Sequence, residues 1–150
     1  MAERVVPWDP GVKWEPNAPD AVLAVGDHGR AVLALNAHLD DVDQDCVVFV
    51  WSGTQAAIMG SPNDEAQSGL RLYRRGLSDV LWAGIVEQST WISDLEQQNR
   101  VHPRHDPACL IRLTHFILPL KECTVEAVAE EVTVLRLPGP TSAAAALLQK

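Results

Sequence analysis

The sequence predicts an α+β fold in which a predominantly antiparallel β-sheet, curled into a half-barrel or a sandwich, carries one main amphipathic helix packed on it. Short apolar runs rich in β-branched residues recur along the chain between turn-forming stretches, a pattern typical of antiparallel strands. Only one segment, residues 91–99, has apolar side chains at a clear helical spacing. A parallel sheet would need more crossover helices. We therefore expect about seven antiparallel strands and one firm helix.

The composition is that of one globular domain with a single core. A chain of 150 residues, 47% of them hydrophobic, can bury a core without disulfides or a structural metal. Residues 1–20 form a Pro- and Trp-rich arm, residues 21–137 the α+β domain, and residues 138–150 an Ala-rich tail that we predict to be flexible. Trp8 and Trp14 of the arm need burial, so we expect the arm to lie on the domain.

The charge balance disfavours nucleic acid as a partner. A net charge of −8 opposes phosphate binding, which depends on clustered Lys and Arg. The start of the chain lacks the pattern of a signal peptide, and no apolar run reaches the roughly 20 residues that a membrane-spanning helix needs. The sequence therefore predicts a cytoplasmic protein with no membrane or nucleic-acid partner.

Three cysteines, Cys46, Cys109 and Cys123, are widely spaced and form no CxxC motif. They are predicted to be reduced, structural thiols. Cys123 is the most reactive candidate, because the neighbouring Lys121 would favour its thiolate form.

The first strands follow in order along the chain. Residues 21–25 and 31–36 are predicted to form a hairpin around a turn-forming GDHGR stretch. The continuous apolar run 46–51, CVVFVW, is typical of a central strand buried on both faces, and residues 54–59 could return beside it as a second hairpin. The polar loop 37–45, with Asp41, Asp43 and Asp45 at a spacing like that of a calcium loop, lacks the glycine and the final glutamate of that motif, so no calcium site is predicted.

The middle of the chain contains the predicted helices. Ser61 could begin a short helix, with acidic residues in its first turn. The three arginines that follow, Arg71, Arg74 and Arg75, form either an anion site or, as we prefer, an ion-paired loop. Residues 79–87 are predicted to be a strand. The helix 91–99 is then capped by Ser89 or Thr90, with Ser93, Asp94, Glu96, Gln97 and Gln98 facing water.

The loop 99–106 after this helix is the first candidate site. His102, His105 and Asp106 are enough for three ligands of a catalytic zinc or iron ion, although their spacing matches no strong signature. Alternatively, as we prefer for this loop, Arg100, Arg104 and the histidines fan outward into water and Asp106 caps the next segment. A third alternative is that the loop lines a polar ligand pocket. We predict no metal there.

The last hairpin supplies the second candidate. Residues 114–120 and 124–137 flank Lys121, Glu122 and Cys123. If those three residues form the loop, Glu126 shares a face with the apolar side chains of Phe116 and Leu118. A carboxylate there must be paired or have a raised pKa, so Glu126, with His115 and Glu122, is a candidate acid or base. A shift of one residue in the register would change these neighbours.

Common catalytic motifs are absent from the sequence. The chain has no GxSxG nucleophile elbow and no glycine-rich phosphate loop of the GxGxxG or GxxxxGK[ST] type. Those enzyme classes are not predicted, and neither is a cofactor.

Three segments carry a resemblance to a known group of proteins. PNDEAQSGLRLYRRGL, LEQQNRVHPRHD and HFILPLKECTVEAVA resemble a family of small uncharacterised bacterial proteins, over roughly residues 31–137. The resemblance implies no activity, fold or cofactor.

Two interpretations of function remain open. In the preferred one, polar loops rim a pocket that binds or converts a small polar or anionic molecule. Its predicted catalytic residues are His102, His105 and Glu126, and its predicted ligand-binding residues are Asn63, Asp64, Glu65, Asn99, Arg100, Arg104 and Asp106. Alternatively, the protein is a non-catalytic interaction or regulatory module, such as a homodimer that uses the Trp-bearing arm and an edge strand. The first interpretation requires the three loop segments to meet in space.

Overall fold

The structure, a computed structural model, describes residues 2–41 and 44–149. Its described strands form two antiparallel sheets, which confirms the predicted fold class in its sandwich form. In chain order the elements are β1 (Arg4–Pro7), β2 (Val22–Val25), β3 (Ala31–Asn36), β4 (Cys46–Ser52), β5 (Ala56–Gly60), β6 (Gly84–Glu87), α1 (Thr90–Asn99), β7 (Thr114–Pro119), β8 (Thr124–Ala129), β9 (Glu131–Leu137) and α2 (Thr141–Gln149). Short 3₁₀ helices span Asp64–Gly69, Tyr73–Arg75, Leu77–Asp79 and Pro107–Arg112.

One sheet has five strands in the order β1-β6-β7-β8-β5, and the other has four in the order β2-β3-β4-β9. The predicted hairpin of β2 and β3 and the central position of β4 are confirmed. However, β5 does not return beside β4: it crosses to the other sheet and pairs with β8. The predicted last arm is likewise two strands, because the chain changes sheets at Glu130, between β8 and β9.

The main core lies between the two sheets. Alternate side chains of β3 and β4, among them Leu33, Phe49 and Trp51, meet Phe116 and Leu118 of β7, as the two-residue period of a strand requires. The arm contributes both of its tryptophans: the Trp8 ring lies 5.2 Å from that of Phe116, and Trp14 lies edge-on to Phe49 at 5.7 Å. The arm also includes a regular edge strand, β1, which pairs with β6.

Helix α2 covers the outer face of the four-stranded sheet. Ala144 and Ala145 are each only 2% exposed, and they pack against Val32 and Val48. The tail that the sequence predicts to be flexible thus contains a helix, Thr141–Gln149, packed on this sheet. The physical reason is that β3 is apolar on both faces, so its outer face needs a cover, which small alanine side chains can approach closely.

The β7–β8 hairpin differs from the predicted register by one residue. The Leu120 amide donates to the Cys123 carbonyl at 2.9 Å, so the loop consists of two residues, Lys121 and Glu122, and not three. Ile117 consequently faces Glu126, and Phe116 faces Ala127. Because a shift of one residue reverses the faces of a strand, Glu126 lies on the outer face of the five-stranded sheet, away from Phe116 and Leu118.

The outer face of the five-stranded sheet is covered by the segment between β5 and β7. Leu72 and Leu77 pack on Val5, Val86 and Ile117. Helix α1 begins on the same face, where the Trp91 ring lies edge-on to His115 at 5.3 Å. No helix in the part of the chain described here is long and apolar enough to cross a membrane.

Candidate functional site

Helix α1 and the loop after it are positioned by two side-chain caps. Ser89 Oγ accepts the Ile92 amide at 3.1 Å, so Ser89, one of the two predicted caps, begins α1. Asp106 Oδ1 accepts the Ala108 amide at 3.0 Å and begins the 3₁₀ helix Pro107–Arg112, also as predicted. One cap therefore fixes the start of α1, and the other fixes the point where the loop 100–106 ends.

A cavity of about 240 Å³ lies between α1 and this loop, and we call it the loop cavity. Five predicted site residues line it, namely Asn99, His102, Arg104, His105 and Asp106. The rest of its wall includes the apolar side chains of Leu95 and Leu110, from α1 and the following 3₁₀ helix, and those of Glu96 and Cys109. The structure thus brings together one of the predicted polar segments around a concave surface.

Glu96 is the acid at the centre of this segment. Its side chain is only 8% exposed, and Arg100 binds both carboxylate oxygens, with Nε donating at 2.9 and 3.0 Å and Nη2 at 2.8 Å. The Arg100 hydrogen bond lowers the pKa of Glu96 below its ordinary value, although burial opposes this, and His105 contributes in the same direction as Arg100. The expectation that Glu96 faces water is wrong, because these two partners compensate for its burial.

His105 is oriented by this carboxylate. Its Nε2 lies 2.9 Å from Glu96 Oε1. An ionised carboxylate can only accept hydrogen bonds, so we assign the proton to Nε2, which leaves a lone pair on Nδ1 of the neutral ring. Nδ1 has no hydrogen-bond partner among the residues that the structure describes. A carboxylate-oriented imidazole with one unoccupied nitrogen has the geometry of a general base.

His102 and Arg104, which also line the loop cavity, have different roles. The exposed His102 accepts the Arg104 amide through Nδ1 at 3.0 Å, which ties it to the loop backbone. The Arg104 guanidinium has no carboxylate within 4.0 Å over residues 2–41 and 44–149. Because Arg100 is ion-paired with Glu96, Arg104 is the cation of the loop cavity that is available to bind a ligand.

The other predicted residues lie elsewhere. Asn63 Oδ1 caps the 3₁₀ helix Asp64–Gly69, in place of the expected Ser61. Asp64 lies 3.9 Å from Lys121 and lines a separate cavity with it, while Glu65 is exposed. Glu126 lines a third cavity. The expectation that all three loop segments rim one pocket is therefore corrected: Asp64 and Glu126 border other cavities, and Asn63 and Glu65 do not line the loop cavity.

A second polar cluster was missed from the sequence, and we call it the Ser–His–Glu chain. Ser89 Oγ lies 2.7 Å from His115 Nδ1, and His115 Nε2 lies 2.8 Å from Glu126 Oε1. His115 is completely buried. The sequence had indicated Ser89 as a cap, and His115 and Glu126 as candidate acids or bases. Their contacts join residues 26 and 11 positions apart, and they depend on the register of β7 and β8.

Glu3 lies beside the start of α1. It is 8% exposed, and its Oε1 accepts the Thr90 amide and the Arg71 guanidinium, each at 3.0 Å. Arg71 is thus ion-paired, as preferred from the sequence.

No metal site emerges among the described residues: no group of three His, Cys, Asp or Glu side chains in this part of the chain could hold an ion. The side chains of the loop are used otherwise, since His105 bonds to Glu96 and Asp106 caps a 3₁₀ helix.

The cysteines have no disulfide partners. Burial raises the pKa of Cys46, whose Sγ donates to the Gly139 carbonyl at 2.9 Å. Burial, with the negative charge of Glu122, also raises the pKa of Cys123. The expectation that Lys121 favours a Cys123 thiolate is therefore wrong. Cys109 is exposed, and the Arg112 Nη2 lies 3.6 Å from its sulfur.

The resemblance to the bacterial family stays a prediction. Comparison of the chain with protein-family models, with curated proteins and with solved structures finds no match.

Proposed function

We propose that the protein binds a small anionic molecule in the loop cavity and that His105 exchanges a proton with it. The observation that carries this proposal is the Glu96–His105 pair, 2.9 Å apart, whose second imidazole nitrogen is unoccupied at the cavity wall. It retains the interpretation preferred from the sequence but assigns the roles differently.

The proposed roles follow from which groups are already occupied. Arg104 holds the anionic group of the ligand, because Arg100 is committed to Glu96. His105 Nδ1 accepts or returns a proton. Glu96 fixes the tautomer of His105 and stabilises the imidazolium that forms.

The dimensions of the cavity limit the ligand. A volume of about 240 Å³ lies below the roughly 300–1,000 Å³ of pockets that hold drug-sized molecules. The matching class of compound is a carboxylate or phosphate with few other atoms. The protein carries a net charge of −8, so the anion must be held by local contacts and not by the overall field.

Nuclear magnetic resonance titration with inorganic phosphate and with a series of small carboxylates tests this proposal. We expect shifts for the amides of residues 99–106, and an approximately tenfold weaker affinity in Arg104→Gln, since one charge-assisted contact is lost. Arg74→Gln is the matched control: it removes the same charge from an exposed arginine that lines no part of the loop cavity.

Two results would count against the proposal. If the affinity for the anion fell equally in Arg104→Gln and Arg74→Gln, binding would depend only on the net charge of the protein. A ligand that binds normally to Arg104→Gln and shifts residues elsewhere would assign the binding to another surface.

The interaction module remains a second proposal, supported by the edge strand β5. Ile58 and Met59 on this strand are 53% and 38% exposed, and the strand carries no charged residue that would discourage pairing. The arm is a weaker candidate, because Trp14 is 3% exposed and is directed into the core. Sedimentation analysis of the native chain and of Ile58→Lys tests for self-association, and an identical monomer in both would reject it. A cytoplasmic location and a bacterial source remain predictions from the sequence.

A further inference from the structure

The Ser–His–Glu chain has the connectivity of a nucleophile, a base and an orienting acid. Such a site is recognised by geometry and roles and not by positions in the sequence. Here the serine contacts the Nδ1 atom of His115 at 2.7 Å and the carboxylate contacts Nε2 at 2.8 Å. The two ring nitrogens are thus exchanged relative to the serine proteases, but the order of groups is the same.

The proton positions follow from what each group can donate. Glu126, when ionised, can only accept, so Nε2 of the neutral ring carries the proton and Nδ1 carries the lone pair. Ser89 must then donate its hydroxyl proton to Nδ1. The hydroxyl oxygen also accepts the Ile92 amide at 3.1 Å, so one of its two lone pairs remains for attack on an electrophile.

The chain lies at the wall of a surface cavity, with Ser89 6% exposed and His115 fully buried. Ser89 and His115 border a surface cavity of about 620 Å³, distinct from the loop cavity, although Leu110 and Leu113 line both. At the other end, the Glu126 side chain is 19% exposed.

We propose that Ser89 is an activated nucleophile toward acyl and phosphonyl electrophiles, with His115 as its base and Glu126 as the residue that positions His115. In the phosphonyl reaction, Ser89 Oγ forms a bond to phosphorus while the P–F bond breaks, and fluoride leaves with the bonding electrons. The hydroxyl proton passes to His115 Nδ1, and the imidazolium that forms is stabilised by the Glu126 carboxylate. This site is separate from the one in the proposed function and does not depend on it.

The choice of probe follows from the surroundings of the serine. The Thr90 amide lies next to Ser89 in the first turn of α1 and would be a suitable donor to an oxyanion. It already donates a hydrogen bond to Glu3. Turnover of an ordinary ester is therefore expected to be slow. A fluorophosphonate reports nucleophile activation in a single step and requires no turnover.

The experiment is to label the full chain with a biotin-linked fluorophosphonate and to locate the adduct by peptide mass spectrometry. We expect a single adduct on Ser89 that is absent in Ser89→Ala. The exposed Ser93, one turn along α1, has no imidazole partner, so Ser93→Ala is expected to label normally.

Glu126 is tested separately as a positioning residue. Glu126→Gln is expected to slow labelling at least about tenfold without changing the circular dichroism spectrum, because the amide can favour the wrong tautomer of His115. Glu126→Asp keeps the acid and should restore part of the rate, which a purely structural role would not produce.

The position of the adduct on the unsubstituted chain tests the proposal even if a variant fails to fold. Absence of an adduct, or an adduct on a residue other than Ser89, would overturn it. An equal rate in Glu126→Gln would remove Glu126 from the proposal.

Discussion

The Glu96 carboxylate accepts a hydrogen bond from His105 at 2.9 Å while it binds the Arg100 guanidinium through both of its oxygens. One buried acid thus joins α1 to two positions of the following loop, on either side of Pro103. Because a carboxylate can accept several hydrogen bonds at once, the path of the loop depends on the charge of a single side chain.

Glu96→Gln is expected to lower the stability of the protein. The amide nitrogen of glutamine cannot accept, so at least one of the hydrogen bonds from Arg100 or His105 is lost in a partly buried place. Urea unfolding at pH 7 should show a lower midpoint. Glu65→Gln, at an exposed position, is the control and should leave the midpoint unchanged.

The effect of this substitution should depend on pH in one direction. The folded-state pKa of Glu96 is lowered from an ordinary value of 4.5, chiefly by Arg100. The ionised form therefore contributes stability that is fully present above that value and is lost as the pH falls through the folded-state pKa. The difference in unfolding midpoint between the native chain and Glu96→Gln should shrink below about pH 4.5. A difference that stayed constant down to pH 3 would show that the carboxylate charge is not responsible.

The three cysteines should differ in reactivity. Burial raises the pKa of both Cys46 and Cys123, so their thiolate forms are rare near pH 8. The exposed Cys109 should react with Ellman's reagent first, in a phase of one thiol per chain, and Cys109→Ser should remove that phase. The two remaining thiols should react after unfolding. Fast reaction of Cys123 in the native state would contradict this assignment.

Local features of the sequence were sufficient to predict much of the fold. A hydroxyl followed by an amphipathic segment was enough to place the start of α1 at Ser89 or Thr90, and the apolar run of β4 was enough to identify a central strand. These signals are local because caps and buried strands depend on residues within a few positions.

The missed features depend on long-range contacts. Glu96 was predicted to face water. Its burial is compensated in part by a hydrogen bond to His105, nine positions away, which the local pattern does not indicate. Glu126 was placed on the wrong face, because a two-residue loop replaced the assumed three-residue one. The pairing of β5 with β8 could not be predicted either, because it depends on where the chain crosses from one sheet to the other. Gly53, with φ +62°, makes one of these crossings, and a side chain there would meet Glu130.

Helix α2 should prove to be an integral layer. Ala144 is 2% exposed against the sheet, whereas Leu147 on the same helix is 64% exposed. Ala144→Glu should reduce the free energy of unfolding by about 2 kcal/mol or more, because it buries a charge without a partner. Leu147→Glu should change it by less than about 0.5 kcal/mol. Equal, small effects of both substitutions would mean that the helix is detached in solution.

Replacement of Gly76, which lies against the backbone of β1, should destabilise the fold. It adopts φ +115° between the 3₁₀ helices Tyr73–Arg75 and Leu77–Asp79, and a Cβ atom there would collide with the backbone carbonyl oxygen of Val5. That oxygen cannot rotate away as a side chain could, so Gly76→Ala must displace β1 or the adjacent turn. We expect a loss of about 2 kcal/mol or more in urea unfolding, from the combined backbone strain and collision. Gly69→Ala is the matched control, because its Cβ would meet no atom within 4 Å and its backbone has no positive φ. If both substitutions lowered the unfolding midpoint equally, the close approach of Val5 to Gly76 would not exist in solution.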